Sequence, residues 1–551
     1  MMRISSFSRQ IYRIGFLLIL GTTCIYSQTA SDTTKKSGQR RGKRTQSTGP
    51  NFKVEKKDAG SYFSNENYVA ALLAYQMLYT DNPSDVAVNN RLGLCYLLTN
   101  LGKAKAVPYF EFVVKQKDAP KDAYLNLGKA YSYANKFDEA IDAYKTYKES
   151  PSLKPEFTGE VTRLIEMAEN GKKLIAAPIK VAFENMGKQI NSNGADYNPI
   201  INADETVLYF TSMRQGNIGA GTDIPTDIGI YTADVYYAQV REGVWQKAKN
   251  IGPIINTEFD EEVVGTNPTG DKMILYFNEF DAASDLFYSF QTGKTWSKPE
   301  PMGPSINTKG NETGGTLSKD GKILIFASDR KGGLGGKDLY KSNRLPNGDW
   351  STPVSLGPKI NSPYDEDAPF LFYDNKTLYF SSKGFDSMGG YDIFWSVYDE
   401  TTDTWSDPVN MGYPLNTSDD DEFFSLAANR KHGYIAATRE DGFGDQDIYR
   451  VVFEGEAGKD IRYTYIRCTI STPSDSVQYP RSKVVVTNEE NKIIGSYTPE
   501  GTSNKFLMIL GAGKYHLNMT TDGLKPYTED FEIPEKAQPA ELTKTIALTK
   551  P

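Results

Sequence analysis

The chain has 551 residues, is 39% hydrophobic and 12% aromatic, and carries a formal net charge of −8. This length favours two to four domains, and the apolar content is sufficient for packed cores. The acidic balance argues against a nucleic-acid-binding protein. The high numbers of tyrosine, phenylalanine and glycine (35, 27 and 47) indicate β-structure with many turns.

Residues 1–27 have the pattern of a secretory signal peptide. Three arginines precede the apolar run "IGFLLILGTTCIY", which is too short to cross a bilayer. We expect cleavage after Ser27. The alternative is lipidation of Cys24, which the residues just before that cysteine disfavour. The pattern predicts export, with association to an outer membrane if Cys24 carries lipid.

Residues 28–57 are predicted to be a disordered basic linker. They contain nine Lys or Arg, two acidic residues and almost no apolar side chain. Past the signal peptide, the two remaining cysteines are Cys95 and Cys468, which fall in segments of different character. We expect both to be buried and unpaired.

Residues 58–172 are predicted to be helical. In "DAYLNLGKAYSYANKFDEAIDAYKTY", small residues at Gly128 and Ala140 would let two helices approach closely. The spacing resembles the tetratricopeptide repeat (TPR), and about three copies are predicted; the alternative is an ordinary helical bundle. The resemblance implies a protein-binding groove lined by the first helix of each repeat. Carried onto this chain, the groove residues are Asn90, Leu94, Leu97, Asp122, Leu125, Lys129 and Ser132.

Residues 178–456 contain a repeat of about 54 residues. Four tryptophans precede the related phrases "NIGPIIN", "PMGPSIN", "SLGPKIN" and "NMGYPLN", and a fifth phrase, "NMGKQIN", stands ahead of them. Each unit continues with a strand such as "ILIF", a glycine-rich or acidic loop and a strand such as "DLYK". Short strands repeated at this interval predict a β-propeller of five blades, or six if the long first unit holds another. The strand "KVAFE" is expected to complete the last blade.

"LSKDGKILIFASDRKGGLGGKDLY" resembles the WD40-like Asp-repeat propeller family almost throughout. The glycines of its loop are predicted to be turn residues with positive φ, and not a phosphate-binding loop, because a strand and not a helix follows. An aspartate recurs at the start of the later strand of each unit. Because it occurs once per blade, we expect it to cap a turn or to pair with arginine. These residues are Asp234, Asp285, Asp338, Asp392 and Asp447.

A second acidic set lies at 260–262, 312, 365–367 and 419–422 and could ring one face of the propeller. No calcium-loop spacing accompanies these residues, and we expect no bound metal and no cofactor.

Residues 460–551 alternate apolar and polar positions. "SNKFLMILGAGKYHLNMT" resembles the carboxypeptidase regulatory-like domain, a small transthyretin-like β-sandwich without catalytic function. The predicted fold class is therefore multidomain: an α-helical TPR array, then a β-propeller, then a small β-sandwich.

No catalytic motif is apparent. The two histidines, His432 and His516, lie in different predicted domains, and neither G-x-S-x-G nor H-E-x-x-H occurs. We therefore expect a protein that is not an enzyme. A hydrolase with a carboxylate pair in the propeller channel stays open, because a sequence does not give the separation of two carboxylates.

The order of these segments resembles periplasmic proteins of Bacteroidota, several of which end in an OmpA-like domain. Some belong to the type IX secretion and gliding machinery. No OmpA-like segment follows the predicted sandwich here. The resemblance implies a periplasmic scaffold or adaptor whose partners are outer-membrane or secretion-complex proteins, with peptidoglycan reached only indirectly. The alternative is a module that binds peptidoglycan or glycan through exposed tyrosines of the propeller.

Overall fold

The computed structural model describes residues 55–151, 153–218, 231–278, 284–454, 464–472, 482–497, 505–534 and 541–550. The predicted signal peptide, Cys24 and nearly all of the basic linker lie outside the described residues. Within the described part there are seven α-helices. They are α1 (Lys56–Ser64), α2 (Tyr68–Asp81), α3 (Val86–Leu97), α4 (Val107–Val113), α5 (Ala123–Tyr133), α6 (Phe137–Lys148) and α7 (Thr158–Ala176).

Two of the helices, α2 and α3, begin at polar side-chain caps, and α5 and α6 pack closely through a glycine. The side chain of Asn67 accepts a hydrogen bond from the Ala70 amide, and that of Asp85 accepts one from Val88. A Cβ atom on Gly128 would lie 2.4 Å from the Tyr144 ring. This absence of a side chain lets α5 and α6 approach as closely as the sequence suggests. None of the described helices is long and apolar enough to cross a bilayer.

The predicted TPR array is wrong, and the fold class is corrected to a predominantly β chain. The described residues form thirty strands and only seven α-helices. The helices also lack the 34-residue period: α1, α3 and α5 begin at residues 56, 86 and 123, and α4 has only seven residues after a 3₁₀ turn at Lys103–Ala106. The Leu–Gly–Tyr spacing indicates that two helices pack closely. Any closely packed helix pair needs a small residue at the contact, so this spacing does not by itself indicate a stack of identical hairpins.

A five-bladed β-propeller follows the helices. Its strands are β1 (Val181–Asn185), β2 (Asp196–Ile201), β3 (Val207–Ser212), β4 (Asp234–Arg241), β5 (Val244–Trp245), β6 (Lys249–Asn250), β7 (Asp260–Thr266), β8 (Lys272–Asn278), β9 (Asp285–Thr292), β10 (Thr295–Trp296), β11 (Glu300–Pro301), β12 (Glu312–Leu317), β13 (Ile323–Ser328), β14 (Asp338–Asn343), β15 (Val354–Ser355), β16 (Glu366–Leu371), β17 (Thr377–Ser382), β18 (Asp392–Asp399), β19 (Thr404–Trp405), β20 (Val409–Asn410), β21 (Ser425–Leu426), β22 (His432–Ala437) and β23 (Asp447–Phe453).

Each blade is one antiparallel sheet whose first strand lies nearest the axis. Blades 1 to 5 are β2–β6, β7–β11, β12–β15, β16–β20 and β21–β23 with β1. The strand β1 pairs antiparallel with β23, with Val181 opposite Phe453. The N-terminal strand therefore completes the last blade and ties the two ends of the ring together. The inner strand β2 contacts both β7 and β22, so no sixth blade separates blade 1 from its neighbours.

The glycine-rich loops are required by contact between blades more than by backbone conformation. In "KGGLGG" only Gly332 has a positive φ, of 96°. A Cβ atom on Gly335 would instead lie 1.6 Å from the carbonyl oxygen of Tyr364 in the next blade. Gly389 and Gly444 occupy the same place against the carbonyls of Thr417 and Gly194. The predicted role of these glycines as positive-φ residues is therefore wrong for most of them.

The last described strands form two sheets around one core. They are β24 (Thr464–Ser471), β25 (Ser482–Asn488), β26 (Ile493–Tyr497), β27 (Lys505–Leu510), β28 (Gly513–Thr521), β29 (Tyr527–Ile533) and β30 (Glu541–Ala547). One sheet has the order β27-β24-β30 and the other β26-β25-β28-β29. Side chains including Cys468, Val486, Met508 and Leu517 fill the space between them. Cys95 and Cys468 are buried free thiols, as expected, and burial raises the pKa of each to about 12.

Candidate functional site

One asparagine per blade holds the edge of each blade in register. It is the last residue of the repeated phrase, and its amide side chain bonds both the N–H and the C=O of one residue in the third strand. Asn361, for example, accepts from the Leu339 amide at 2.8 Å and donates to the Leu339 carbonyl at 3.0 Å. Asn191, Asn256, Asn307 and Asn416 make the same pair of bonds. This role was not predicted from the sequence, although the asparagine that ends every copy of the phrase marks the position.

One acidic residue per blade, at or near the start of the inner strand, caps the preceding turn. Glu366 accepts hydrogen bonds from the amide and hydroxyl of Ser362, at 2.8 and 2.6 Å, and from the Ser382 hydroxyl at 2.7 Å. Its counterparts accept from the residue four places earlier in the same way; they are Asp196, Glu261, Glu312 and Asp421. Four of the eleven acids in the set singled out in the sequence, at 261, 312, 366 and 421, thus cap turns of the blades.

The recurring aspartate of the third strand also has the predicted capping role. Asp392 accepts from the amides of Met388 and Gly389 and from the Asn410 side chain. Asp234, Asp338 and Asp447 likewise accept from amides of the loop before them. Pairing with arginine is not part of this role, since Arg214 and Arg330 bond the inner-strand acids Asp196 and Glu312 instead.

The residue after the capping acid differs between blades, and in blades 4 and 5 it is Asp367 and Glu422. Together with Lys337, Lys383 and Tyr391 they form what we call the channel cluster. Asp367 forms an ion pair with Lys337 and accepts from the Thr313 hydroxyl at 2.7 Å and the Ala368 amide at 2.8 Å. The Lys383 ammonium lies 4.2 Å from the centroid of the Tyr391 ring.

Burial and like charge set the protonation of this cluster. Burial would raise the pKa of Asp367, but the adjacent Lys337 ammonium reverses this and holds the pKa below its usual value. The pKa of Glu422 is raised by burial and then by the neighbouring Asp420 and Asp367 carboxylates. Asp367 is therefore ionised, and both of its oxygens are engaged by donors of the protein itself. Among the described residues, no group of three or more His, Cys, Asp or Glu is placed to hold a metal ion.

The stability of the propeller should fall between pH 5 and pH 8, and Glu366→Gln should reduce this dependence. Burial raises the pKa of Glu366 to about 8, so the folded carboxyl holds its proton more tightly than the unfolded one. Its contribution is complete below about pH 4.5 and is lost as the pH rises through 8. We expect the variant to lose about 1–2 kcal/mol less than the parent over this range.

This prediction is checked by urea unfolding at several pH values. The exposed Glu258, in the same propeller, supplies the control: Glu258→Gln should follow the parent curve. Parallel pH dependences for the parent and Glu366→Gln would contradict the assignment.

The helices dock on the face of the propeller that carries the glycine-rich loops. From α7, Arg163 donates to the carbonyls of Lys383 and Phe385, at 2.8 and 3.2 Å, and to the Ser387 hydroxyl at 2.8 Å. Lys103 forms an ion pair of 2.5 Å with Asp419. The apolar part of this contact places Met388 and Tyr413 against helix residues that include Phe137 and Leu125.

The sandwich docks on the opposite face, at the turns between the first and second strands of the blades. Lys319 donates to the Ile509 carbonyl at 3.2 Å, and Arg467 forms an ion pair with Asp204. Leu507 and Ile509 join Phe372 and Tyr373 in one apolar cluster. The propeller thus holds the helices on one face and the sandwich on the other.

The residues predicted to line a TPR groove do not form one open surface. Leu97 is in the helix core, and Leu94 packs against that core. Leu125 packs toward the cluster that includes Met388 of the propeller, and the Ser132 carbonyl accepts from Ser418 at 2.8 Å.

The three polar members of that set lie elsewhere on the helices. Asp122 is the residue before α5, and Asn90 has a buried side-chain oxygen without a partner. The pKa of Lys129 is lowered by burial, which outweighs the opposing charges of Asp122 and Glu160. Partner binding by the seven residues stays a prediction, and the arginine and lysine that join the domains were missed because no local pattern marks them.

No family model matches the chain, and no curated protein matches it. Solved structures similar to it include TolB from Acinetobacter baumannii, which is 12% identical with a TM-score of 0.30 over 54% of this chain and 71% of that chain. A levansucrase from B. megaterium is 11% identical, with a TM-score of 0.34 over 52% of this chain and 93% of that one. The β-xylosidase/α-arabinofuranosidase CoXyl43 from a compost metagenome is 12% identical, with a TM-score of 0.32 over 49% and 93%. Likeness at this level transfers no activity to the chain.

Proposed function

We propose that this protein is a non-enzymatic periplasmic scaffold that binds envelope proteins, as a part of or accessory to type IX secretion or gliding machinery. The observation that carries the proposal is the docking of two further domains on opposite faces of one closed propeller. A scaffold has to hold binding surfaces at a fixed separation, and a closed ring of packed blades serves as a stiff spacer.

The use of the polar residues supports a binding role over a catalytic one. The acids that recur in the blades cap turns, and the recurring asparagines hold strands in register. The negative charge of Asp367 is balanced by the ion pair with Lys337. His432 contacts Glu205 at 2.7 Å, whereas His516 contacts Asp530 in the sandwich. These pairs lie in different domains, and in the side-chain hydrogen bonds of the described residues no serine, threonine or cysteine accompanies either of them.

The glycan-binding alternative depends on exposed tyrosines of the propeller. Among the described propeller tyrosines, Tyr364 is more than a third exposed, at 39%. The Arg163 guanidinium of α7 lies 4.7 Å from the centroid of its ring and covers one side of it. A sugar platform needs an open aromatic face, so this residue favours the protein-binding function.

The test is photo-crosslinking in the native cell envelope, with the reactive amino acid placed at Met77 in the helices or at Val354 in the propeller. Both positions are well exposed, at 46% and 68%. The scaffold function predicts that each site captures specific outer-membrane or secretion-complex proteins, identified by mass spectrometry. The same amino acid at the buried Leu324 serves as the control for background. Capture of wall material alone, with no protein above this background, would contradict the proposal.

A further inference from the structure

A groove lies between the outer parts of blades 2 and 3, on the face of the propeller that carries the sandwich. Its cavity measures about 620 Å³, within the range of small-ligand sites. The groove is lined by three cations, by the carboxylate of Asp320 and by aromatic and apolar side chains, two of them well exposed. The residues that matter are Lys272, Tyr288, Phe290, Lys322, Arg344 and Leu345.

Arg344 is the central cation of this groove. Its guanidinium carbon lies 6.0 Å from the Tyr288 ring centroid and 5.7 Å from that of Trp350. Within the described parts of the chain, no carboxylate forms a salt bridge with Arg344, while Lys322 has one 3.7 Å away at Asp320. An arginine held between two rings presents a planar fork that suits a carboxylate.

The propeller fold does not require an arginine at this place. In every blade, the equivalent residue donates its backbone N–H to the residue just before the second strand, as Arg344 does to Lys322 at 2.8 Å. The residues that make this same bond in the other four blades are Val240, Gln291, Tyr398 and Phe453. A residue needed for blade structure recurs once per blade, so the single arginine is free for another task.

Apolar surface adjoins this charge. Phe290 is 38% exposed and Leu345 is 42% exposed, and both line the same cavity. The groove therefore combines two demands on a ligand, carboxylates for the cations and apolar groups for these side chains. A chain with a net charge of −8 does not attract acidic ligands by its overall field. Because Lys322 is paired with Asp320, recognition would depend chiefly on Arg344.

We propose that the groove binds an acidic peptide segment, with Arg344 holding a carboxylate while Phe290 and Leu345 pack against an apolar side chain. An acidic polysaccharide offers carboxylates as well, but it lacks the hydrocarbon side chains that the two exposed apolar residues would cover. This site goes beyond the scaffold function, which needs no acidic ligand.

The test uses the purified full chain and a fluorescein-labelled octapeptide of alternating glutamate and leucine, followed by fluorescence anisotropy. Arg344→Gln should weaken binding at least tenfold, and Phe290→Ala should weaken it several-fold. Lys247→Gln, an exposed lysine of blade 1, is the control and should not change the affinity. Raising the salt concentration should weaken the parent complex more than the complex of Arg344→Gln, since one screened contact is already lost.

Three outcomes would overturn the proposal. They are equal affinity of Arg344→Gln and the parent, equal affinity for a peptide with glutamine in place of glutamate, and displacement of the peptide by polygalacturonate at lower concentrations of carboxylate. Arg344→Lys keeps the charge without the planar fork and should bind with intermediate affinity, which separates loss of the site from loss of folding. The synthetic probe makes this result independent of the crosslinking test of the scaffold function.

Discussion

Replacing Gly335 with alanine should destabilise the propeller by about 3 kcal/mol and lower its thermal midpoint by roughly 10 °C. The added Cβ would lie 1.6 Å from the Tyr364 carbonyl oxygen and 2.9 Å from that of Ser362, both in the next blade. Because these are backbone atoms, no change of rotamer relieves the overlap, and blade 4 has to move away from blade 3. Scanning calorimetry of the full chain measures the shift.

Two further variants make this test specific to contact between blades. Gly389→Ala places a Cβ 2.3 Å from the Thr417 carbonyl and should destabilise the next junction in the same way. Gly159 lies in α7 with no atom within 4 Å of such a Cβ, so Gly159→Ala should change the stability by less than about 1 kcal/mol. An unchanged midpoint for Gly335→Ala would show that the loop tolerates a side chain and that the blades do not meet there.

Replacing Arg163 with alanine should loosen the contact between α7 and the propeller loop at 383–387 while both domains remain folded. The guanidinium makes three hydrogen bonds to the loop at 383–387, and the alanine variant leaves two of its carbonyl acceptors without this donor. Hydrogen bonds to charged groups contribute about 1.5–3 kcal/mol, so the loop amides should exchange roughly 10–100-fold faster. Hydrogen exchange read by mass spectrometry on a peptide covering 383–391 measures this change.

The matched control lies on the same helix. Lys172 pairs with Asp138 within the helices, where both side chains are more than half exposed. Lys172→Ala should therefore leave exchange at 383–391 unchanged, because exposed ion pairs contribute little and this pair does not cross the interface. Equal exchange in the Arg163→Ala variant and the parent would mean that the docking does not depend on this arginine.

The propeller is the part of the fold that the sequence pattern predicts best. Each blade repeats the same short apolar strands, and each copy of the phrase ends in an asparagine such as Asn361 that holds its own blade in register. These interactions are local to a unit of about 54 residues, so they recur visibly along the chain. The same locality explains why the capping role of Asp392 could be read from its position before a strand.

The helical segment shows the limit of that reasoning. Gly128 and Tyr144 do meet closely, as the spacing indicates, but the contact of one helix pair does not determine how successive pairs stack. The short α4 and its 3₁₀ lead-in break the period that a TPR array needs. Residues predicted to form an open groove, such as Leu125 and Ser132, contact or pack toward the propeller instead.

By itself, the sequence determined the number of blades to within one, the closing strand, the capping aspartates and the burial of both cysteines, because each follows from a pattern within or between adjacent repeats. Only the tertiary structure decided which residues join the domains. Arg163 and the carbonyl of Lys383 are 220 positions apart, and a backbone carbonyl leaves no mark in a sequence. The same holds for Gly335, whose need for a bare Cα comes from a neighbouring blade, and for Arg344, which stands out only when five blades are superposed by their hydrogen bonds.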